Sequence, residues 1–509
     1  MLVRSVYADG SLSLAHYISV FGDPRQTGLL GRSLGIALAA SLFATLLGVI
    51  QAFLILRSNL SVRRFWRRIY LLPLCIPPHV HAIAWIYLCG ETGLLNRLLS
   101  ALLKSANPLL DIYSPLWAAA ILALALHPLV TLMTYSGLLS MDQRLEEAAR
   151  QYHPVSKVLR KVTLPLLLPH ILSGGTFVFI FAFFNYGVPS LLRVHTYPVE
   201  IFAQFSAFYN EAAATALAVP VIMVALVILT VQRFWMKERS YVVIDGGRTR
   251  IKALDLGWLK HPANSFMFGL SATAIFLPLL VLILQTRAVA TFAAVWRSTG
   301  NEIVITTVLS LTAASVMLAL AYLLGAMHPA GNRRVGIWRD VLFFAPLAFP
   351  ATVLGIGMIY LWNRPYTQFI YTSAVILIIA YAARFIPFVQ QAVIAGMRQV
   401  GPGLREAALL YQRSWWKRTL KIEAPLCLPG LVAGWTIAFI LCMGELGVTL
   451  LVIPPGLGTI SLKIYNLMHY GANQMVAALS LVLIAVNLAV AAFAVLFIVR
   501  IGRKGFAVN

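Results

Sequence analysis

The sequence predicts an all-α polytopic membrane protein of about eleven transmembrane helices arranged as two parallel-repeat halves. Three observations carry that prediction. Of 509 residues, 60% are hydrophobic and only 11% charged, with a mean hydropathy of +0.83, whereas a soluble chain of this length exposes far more charge. The apolar residues fall in blocks, and a bilayer core of about 30 Å is crossed by about 20 helical residues. Two stretches of the chain also match one another in order and spacing.

Taken in order, the apolar blocks predict spans at 33–56, 69–90, 115–140, 166–192, 211–233, 265–286, 303–327, 340–362, 371–396, 427–452 and 475–500. The first 31 residues carry Arg4, Asp9, Asp23 and Arg25 and lack the apolar stretch of a signal peptide. The predicted organisation is a tail at 1–32, a first transmembrane half at 33–235, a linker at 236–263 and a second half at 264–509.

The net charge of +23 is distributed unevenly. One set of alternate loops holds five basic residues at 57–68, five at 144–161, seven at 233–260, three at 333–339, six at 398–421 and three at 500–504. The other set, with the N-terminal tail, holds ten, and Arg384 lies inside a span. The positive-inside rule places the richer set in the cytoplasm. The N-terminus is then outside and the C-terminus inside, which needs an odd number of spans, and eleven is odd. No loop interleaves aromatic and basic residues on a folded domain, so the charge is read as topology and not as nucleic-acid binding.

The repeat is clearest in two basic loops. Leu145–Pro169 contains Glu147-Ala148-Ala149, Tyr152, Pro165 and Pro169; Leu404–Pro429 contains Glu406-Ala407-Ala408, Tyr411, Pro425 and Pro429. Pro73 and Pro77 match Pro346 and Pro350, and Gly187-Val188 matches Gly447-Val448. Six predicted spans separate the two loops, so both lie on one side and the repeat is parallel, unlike the inverted repeats of many carriers. In the first loop Leu145, Ala148, Ala149 and Tyr152 recur near helical spacing, acidic residues stand early, and Pro154 ends the helix near Tyr152 or His153. Such a short helix on the membrane face suits docking into a soluble partner; alone it would equally suit the lipid surface. Two copies favour paired docking.

These loops resemble the EAA motif of binding-protein-dependent ABC importer permeases. Gln412 and His153 stand where the motif has Gly, Ala424 stands where it has Leu, and the first copy is one residue short before Leu164-Pro165. Segments 72–85, 90–96, 381–388 and 443–465 are similar to the fused ferric-iron and thiamine permeases. The resemblance implies a type I ABC importer-like fold, EAA loops at 141–165 and 397–426, two separate ABC ATPase subunits that bind ATP, and a periplasmic or extracellular solute-binding protein. It implies that Glu147, Ala148, Ala149 and Tyr152, with Glu406, Ala407, Ala408 and Tyr411, couple to the ATPases. Members commonly have a further first span, so the N-terminal tail is expected outside. Ferric iron is the favoured cargo, with thiamine or an organophosphonate as alternatives. No cofactor is expected in this chain.

The chain has no Gly-Lys dipeptide, so no phosphate-cradling GxxxxGK[ST] loop. Leu172-Ser173-Gly174-Gly175 begins an apolar span and reads as close helix packing. Arg384 and Glu445 are charged at membrane depth and are expected to pair across spans nine and ten near the translocation path; a purely structural pair, or snorkelling to the outer interface, is the alternative. Asn185 aligns with Glu445, and Gly187 and Gly447 mark breaks expected to form an outer gate. His79 and His81 flank a proline kink one residue apart, so they face different sides of a helix and do not read as metal ligands. Cys75, Cys89, Cys427 and Cys442 lie in or beside apolar spans and read as packing residues. An ion-coupled carrier would show several midplane acids, where this interior offers one; a membrane enzyme would show a polar catalytic cluster, and none is visible.

Overall fold

The computed structural model describes residues 7–8, 11–12, 17–18, 22–60, 62–104, 107–237, 254–326, 345–399 and 402–505. Apart from a two-residue antiparallel ladder, Tyr7–Ala8 with Ser11–Leu12, and an isolated parallel bridge, Ser58 with Leu254, these residues are helical or in turns and irregular connections. By contact the chain forms two units, Leu2–Leu284 and Gln285–Asn509, the latter together with Met1.

The first unit holds α1 (Pro24–Arg57), α2 (Arg63–Ile69), α3 (Pro78–Cys89), α4 (Leu94–Leu103), α5 (Pro115–Ser140), α6 (Gln143–Arg150), α7 (Val155–Phe183), α8 (Gly187–Leu191), α9 (Tyr197–Ser206), α10 (Glu211–Lys237) and most of α11 (Gly257–Thr286). The second holds α12 (Ala290–Ala326), α13 (Ala351–Trp362), α14 (Gln368–Tyr371), α15 (Val375–Gln399), α16 (Pro402–Tyr411), α17 (Trp415–Met443), α18 (Thr449–Val452), α19 (Ile460–His469) and α20 (Asn473–Gly505). The helix α11, placed by hydropathy at the head of the second half, packs instead within the first unit, where Met267 joins Ile55, Leu60, Trp66 and Tyr70. Hydropathy marks where a helix crosses the membrane, not which neighbours it chooses.

Nine helices among the described residues are long and apolar enough to cross a membrane. The two other expected spans, 69–90 and 340–362, are not continuous helices. In the first, a 3₁₀ turn at Leu72–Cys75 leads to α3 across a bend of 92°. Ile76 (φ −101°, ψ 105°) and Pro77 (φ −57°, ψ 148°) both precede a proline, which disfavours the helical region, so the chain is extended there. In the second, a 3₁₀ turn at Ala345–Ala348 precedes the 12-residue α13, with Pro350 extended at its N-cap; residues 340–344 lie outside the described set. The repeat therefore preserves the break as well as the helices.

Each unit is organised on the same trio. The helices α1, α5 and α7 pack mutually in the first, and α12, α15 and α17 in the second. Glycines set how closely they approach: a Cβ on Gly174 would lie 2.8 Å from the Val130 Cα, and one on Gly430 2.7 Å from the Gly396 Cα. Gly430→Val is expected to destabilise the second unit by about 2–3 kcal/mol through overpacking. Gly269→Ala, where nothing lies within 4 Å, should be neutral or slightly stabilising. Thermal unfolding of the two variants checks the contrast.

The repeat extends to polar detail. The first amide of α9, at Tyr197, donates to Ser33 Oγ on α1 (2.8 Å), and the first amide of α19, at Ile460, donates to Thr306 Oγ1 on α12 (2.8 Å). Each contact has an ion pair beside it with its charges exchanged: Arg25–Glu200 at 3.3 Å in one unit and Lys463–Glu302 at 3.5 Å in the other. The long connection after α3 is organised by buried Asn96. Its Nδ2 donates to the carbonyls of Cys89, Gly90 and Leu110, and its Oδ1 accepts from the amides of Leu109 and Leu110. Asn96→Ala leaves those backbone groups without partners and should cost about 3 kcal/mol, seen as faster proteolysis within 104–114.

Candidate coupling elbows and gate

The first elbow begins where Asp142 caps α6, its Oδ1 accepting the Arg144 amide at 2.9 Å. The helix ends at Arg150, two to three residues before Tyr152 and His153, and the chain turns through Pro154 into α7. Glu147 and Ala148 are exposed, Ala149 is half-buried, and Tyr152 is 81% exposed. In the second elbow α16 exposes Ala407, Leu410 and Tyr411, the last at 85%, and turns Ala408 inward. The side chain of Glu406 lies outside the described residues. Both elbows thus present a tyrosine and a leucine to solvent, Leu145 in the first and Leu410 in the second, without intramolecular cover.

The one-residue difference between the two motifs lies ahead of the long helix: α16 runs two residues further past its glutamate than α6 does, and its turn is one residue shorter. From Val155 to Pro165 and from Trp415 to Pro425 the spacing is the same, whereas four residues join α6 to α7 and three join α16 to α17. Beyond the turn, both long helices widen into a single π-turn, Leu159–Thr163 and Thr419–Glu423, closed by the amides of Leu164 and Ala424. A third lies at Ala272–Phe276 in α11. Each ends two residues before a proline: Pro165, Pro425 and Pro278. A proline ring clashes with the carbonyl four residues back, and a wide turn relieves that clash without breaking the helix. In the second unit the Tyr322 hydroxyl donates to the Thr419 carbonyl at 2.7 Å.

At the far end of α7 and α17 the structure brings the candidate gate residues into matching places. Asn185 Oδ1 accepts the Val188 amide at 2.9 Å, and Glu445 Oε1 accepts the Val448 amide at 2.8 Å. Each side chain caps the short segment after its helix, and Gly187 and Gly447 are buried within those breaks. A Cβ on Gly447 would lie 2.8 Å from that of Ala351, so the break is seated against α13. The other Glu445 oxygen pairs with Arg384 Nε at 3.2 Å; the side chains are 5% and 17% exposed. By the register that pairs Pro128 with Pro387 and Gly137 with Gly396, Ala125 stands where Arg384 does, so the first break is neutral and the second charged.

Sequence reasoning missed two members of this site. The Tyr381 hydroxyl and Thr449 Oγ1 hydrogen-bond at 2.8 Å, both buried, and Thr449 Oγ1 also donates to the Glu445 carbonyl at 3.3 Å. The available signal was spacing: Tyr381 and Arg384 are three apart on one helix, hence on one face. His79, His81 and His127 are buried, and among the described residues no three metal-binding side chains converge. The four cysteines are buried and unbridged.

Comparison with known proteins places these features. The profile of the binding-protein-dependent transport system inner membrane component matches twice, at residues 44–237 and 323–503. The Fe(3+)-transport system permease protein FbpB 2 of Haemophilus influenzae is 23% identical over 479 residues, covering 92% of this chain and 89% of its own. The ferric transport system permease protein FbpB of Actinobacillus pleuropneumoniae is 24% identical over 524 residues, covering 96% and 74%. The molybdenum transport system permease protein ModB of Mycobacterium bovis is 32% identical over 224 residues, covering 40% and 78%. With two copies of the domain, two elbows and spans throughout, the chain belongs to the family of inner-membrane components of binding-protein-dependent transport systems and is an ABC importer permease with both halves fused in one polypeptide.

Proposed function

We propose that this chain forms the membrane pathway for import of ferric iron, received from a soluble binding protein and driven by two separate ATPase subunits seated on the elbows at 143–150 and 402–411. ATP is bound by those subunits. The N-terminus is outside, and the elbows, the linker and the C-terminus face the cytoplasm, a reading supported by the distribution of basic loops. The observation that carries the reading is the pair of elbow helices, each presenting uncovered apolar side chains just before a long span. The breaks at Asn185–Gly187 and Glu445–Gly447 lie at the opposite ends of those spans and form the outer gate, with Arg384 and Glu445 beside the path.

Ferric iron is favoured because the relatives that cover most of the chain are named for ferric transport. A phosphonate is the second reading: a putative 2-aminoethylphosphonate permease of Salmonella paratyphi A is 28% identical, over 183 residues only. The test is uptake into proteoliposomes holding the chain and its ATPase subunits, with labelled Fe³⁺ or labelled 2-aminoethylphosphonate supplied on the binding protein. ATP-dependent accumulation of iron is the expected result. Accumulation of phosphonate alone would replace the cargo. Uptake driven by a proton or sodium gradient without ATP would replace the class.

A further inference from the structure

The acid that ties the first elbow to its own chain is not the one the motif singles out. Glu146, one residue before Glu147, is 3% exposed, and its carboxylate pairs with the guanidinium of Arg57, also 3% exposed. Arg57 is the last residue of α1. It also donates to Gln143 Oε1 at 2.6 Å, so two residues of the first turn of α6 share one cation. The end of α1 is held in turn by the chain returning to α11: the Leu254 amide donates to the Arg57 carbonyl (2.6 Å), and Asn59 hydrogen-bonds Asp255 (2.5 Å). The pair therefore joins the elbow to one helix of the central trio. Two charges removed from water are tolerated only while they face each other, so such a contact has a single satisfactory geometry.

The second elbow has a different residue at this place. In register, Leu145-Glu146-Glu147 corresponds to Leu404-Arg405-Glu406, so an arginine replaces the acid that Arg57 holds. The second unit places an ion pair further along instead, Arg418 to Glu423 at 3.3 Å, spanning the π-turn of α17.

We infer that Arg57 and Glu146 are positioning residues that carry displacement of α6 directly into α1, a linkage for which the second elbow has no acid, since Arg405 stands in the place of Glu146. This rests on the reading of the elbows as ATPase seats. An exposed acid on α6 meets the partner while its buried neighbour meets the membrane domain, so one turn of helix connects the two bodies.

The experiment uses the full chain with its ATPase subunits in lipid and reads amide exchange of 143–150 and 402–411 together with iron taken up per ATP hydrolysed. Arg57→Gln should raise exchange across 143–150 about tenfold or more and lower uptake per ATP by a similar factor. ATP hydrolysis should persist and exchange across 402–411 should stay unchanged. The reversed pair, Arg57→Glu with Glu146→Arg, should restore both readouts; Arg405→Gln should alter neither at the first elbow. Unchanged exchange and an unchanged uptake ratio in Arg57→Gln would overturn the inference. So would failure of the reversed pair to recover either readout, including where the single variant does not assemble. Wild-type uptake that needs no ATP would instead remove the functional reading, and the exchange measurements would then decide on the anchor by themselves.

Discussion

Glu445→Gln is expected to abolish ATP-driven uptake and to lower the thermal stability of the second unit. The carboxylate has two tasks, one per oxygen: it caps Val448 and it neutralises Arg384. A glutamine keeps the first and loses the second. Arg384 then stays at membrane depth without its counter-charge, and its Nη1 already has no hydrogen-bond partner within the protein. Breaking a buried pair from one side costs about 3–5 kcal/mol, whereas removing both charges is often close to neutral. Arg384→Gln should therefore be as damaging as Glu445→Gln, and the double variant should recover stability. Asn185→Ala, which removes only a cap, should cost about 1 kcal/mol. Thermal unfolding and uptake measured on all four variants separate the terms. Wild-type uptake in both single variants would remove the pair from the transport path.

Reversing charge on both elbows, Glu147→Lys with Glu406→Lys, is expected to release the ATPase subunits. An acid anchored in a basic pocket of a partner contributes through charge-assisted hydrogen bonds, and losing one side of such a pair costs about 2–5 kcal/mol, so the Kd should rise by about 30-fold or more at each elbow. Tyr152→Ala and Tyr411→Ala remove strongly exposed rings of the two elbows and should weaken binding further without disturbing the permease, because neither ring is covered by its own chain. Pull-down of the ATPase with tagged permease reads the outcome. Full retention on the doubly reversed chain would exclude the elbows as the seat.

Local signals in the sequence located the elbows, the long spans and the equivalence of Asn185 with Glu445, since each depends on spacing along a single helix or on matching order in the two halves. Tertiary choices were not legible. Windows of hydropathy cannot see that Pro77-Pro78 forces an extended backbone, so the bent element at 69–90 was read as one continuous helix. Arg57 was counted as one of many basic loop residues, because nothing near it in the chain shows that Glu146, 89 residues later, will bury against it. Asn96 looked like an ordinary loop residue, and its role depends on where residues 109 and 110 return. The affiliation of α11 with the first unit likewise depends on side chains nearly 200 positions away, as in the Asn59–Asp255 contact.

The π-turns make chain length itself a geometric variable. A wide turn carries one residue more than an ordinary α-turn, and the proline just beyond it fixes which residue bears the surplus. Deleting a single residue within 159–163 or 419–423 would restore the α-helical count and swing the elbow about 100° around the helix axis, with only about 1.5 Å of axial travel. The linking turn, by contrast, already differs by one residue between the two halves while the spacing from helix start to proline is identical. A length change before the long helix alters only the linking turn, whereas one inside it would point the elbow in a new direction.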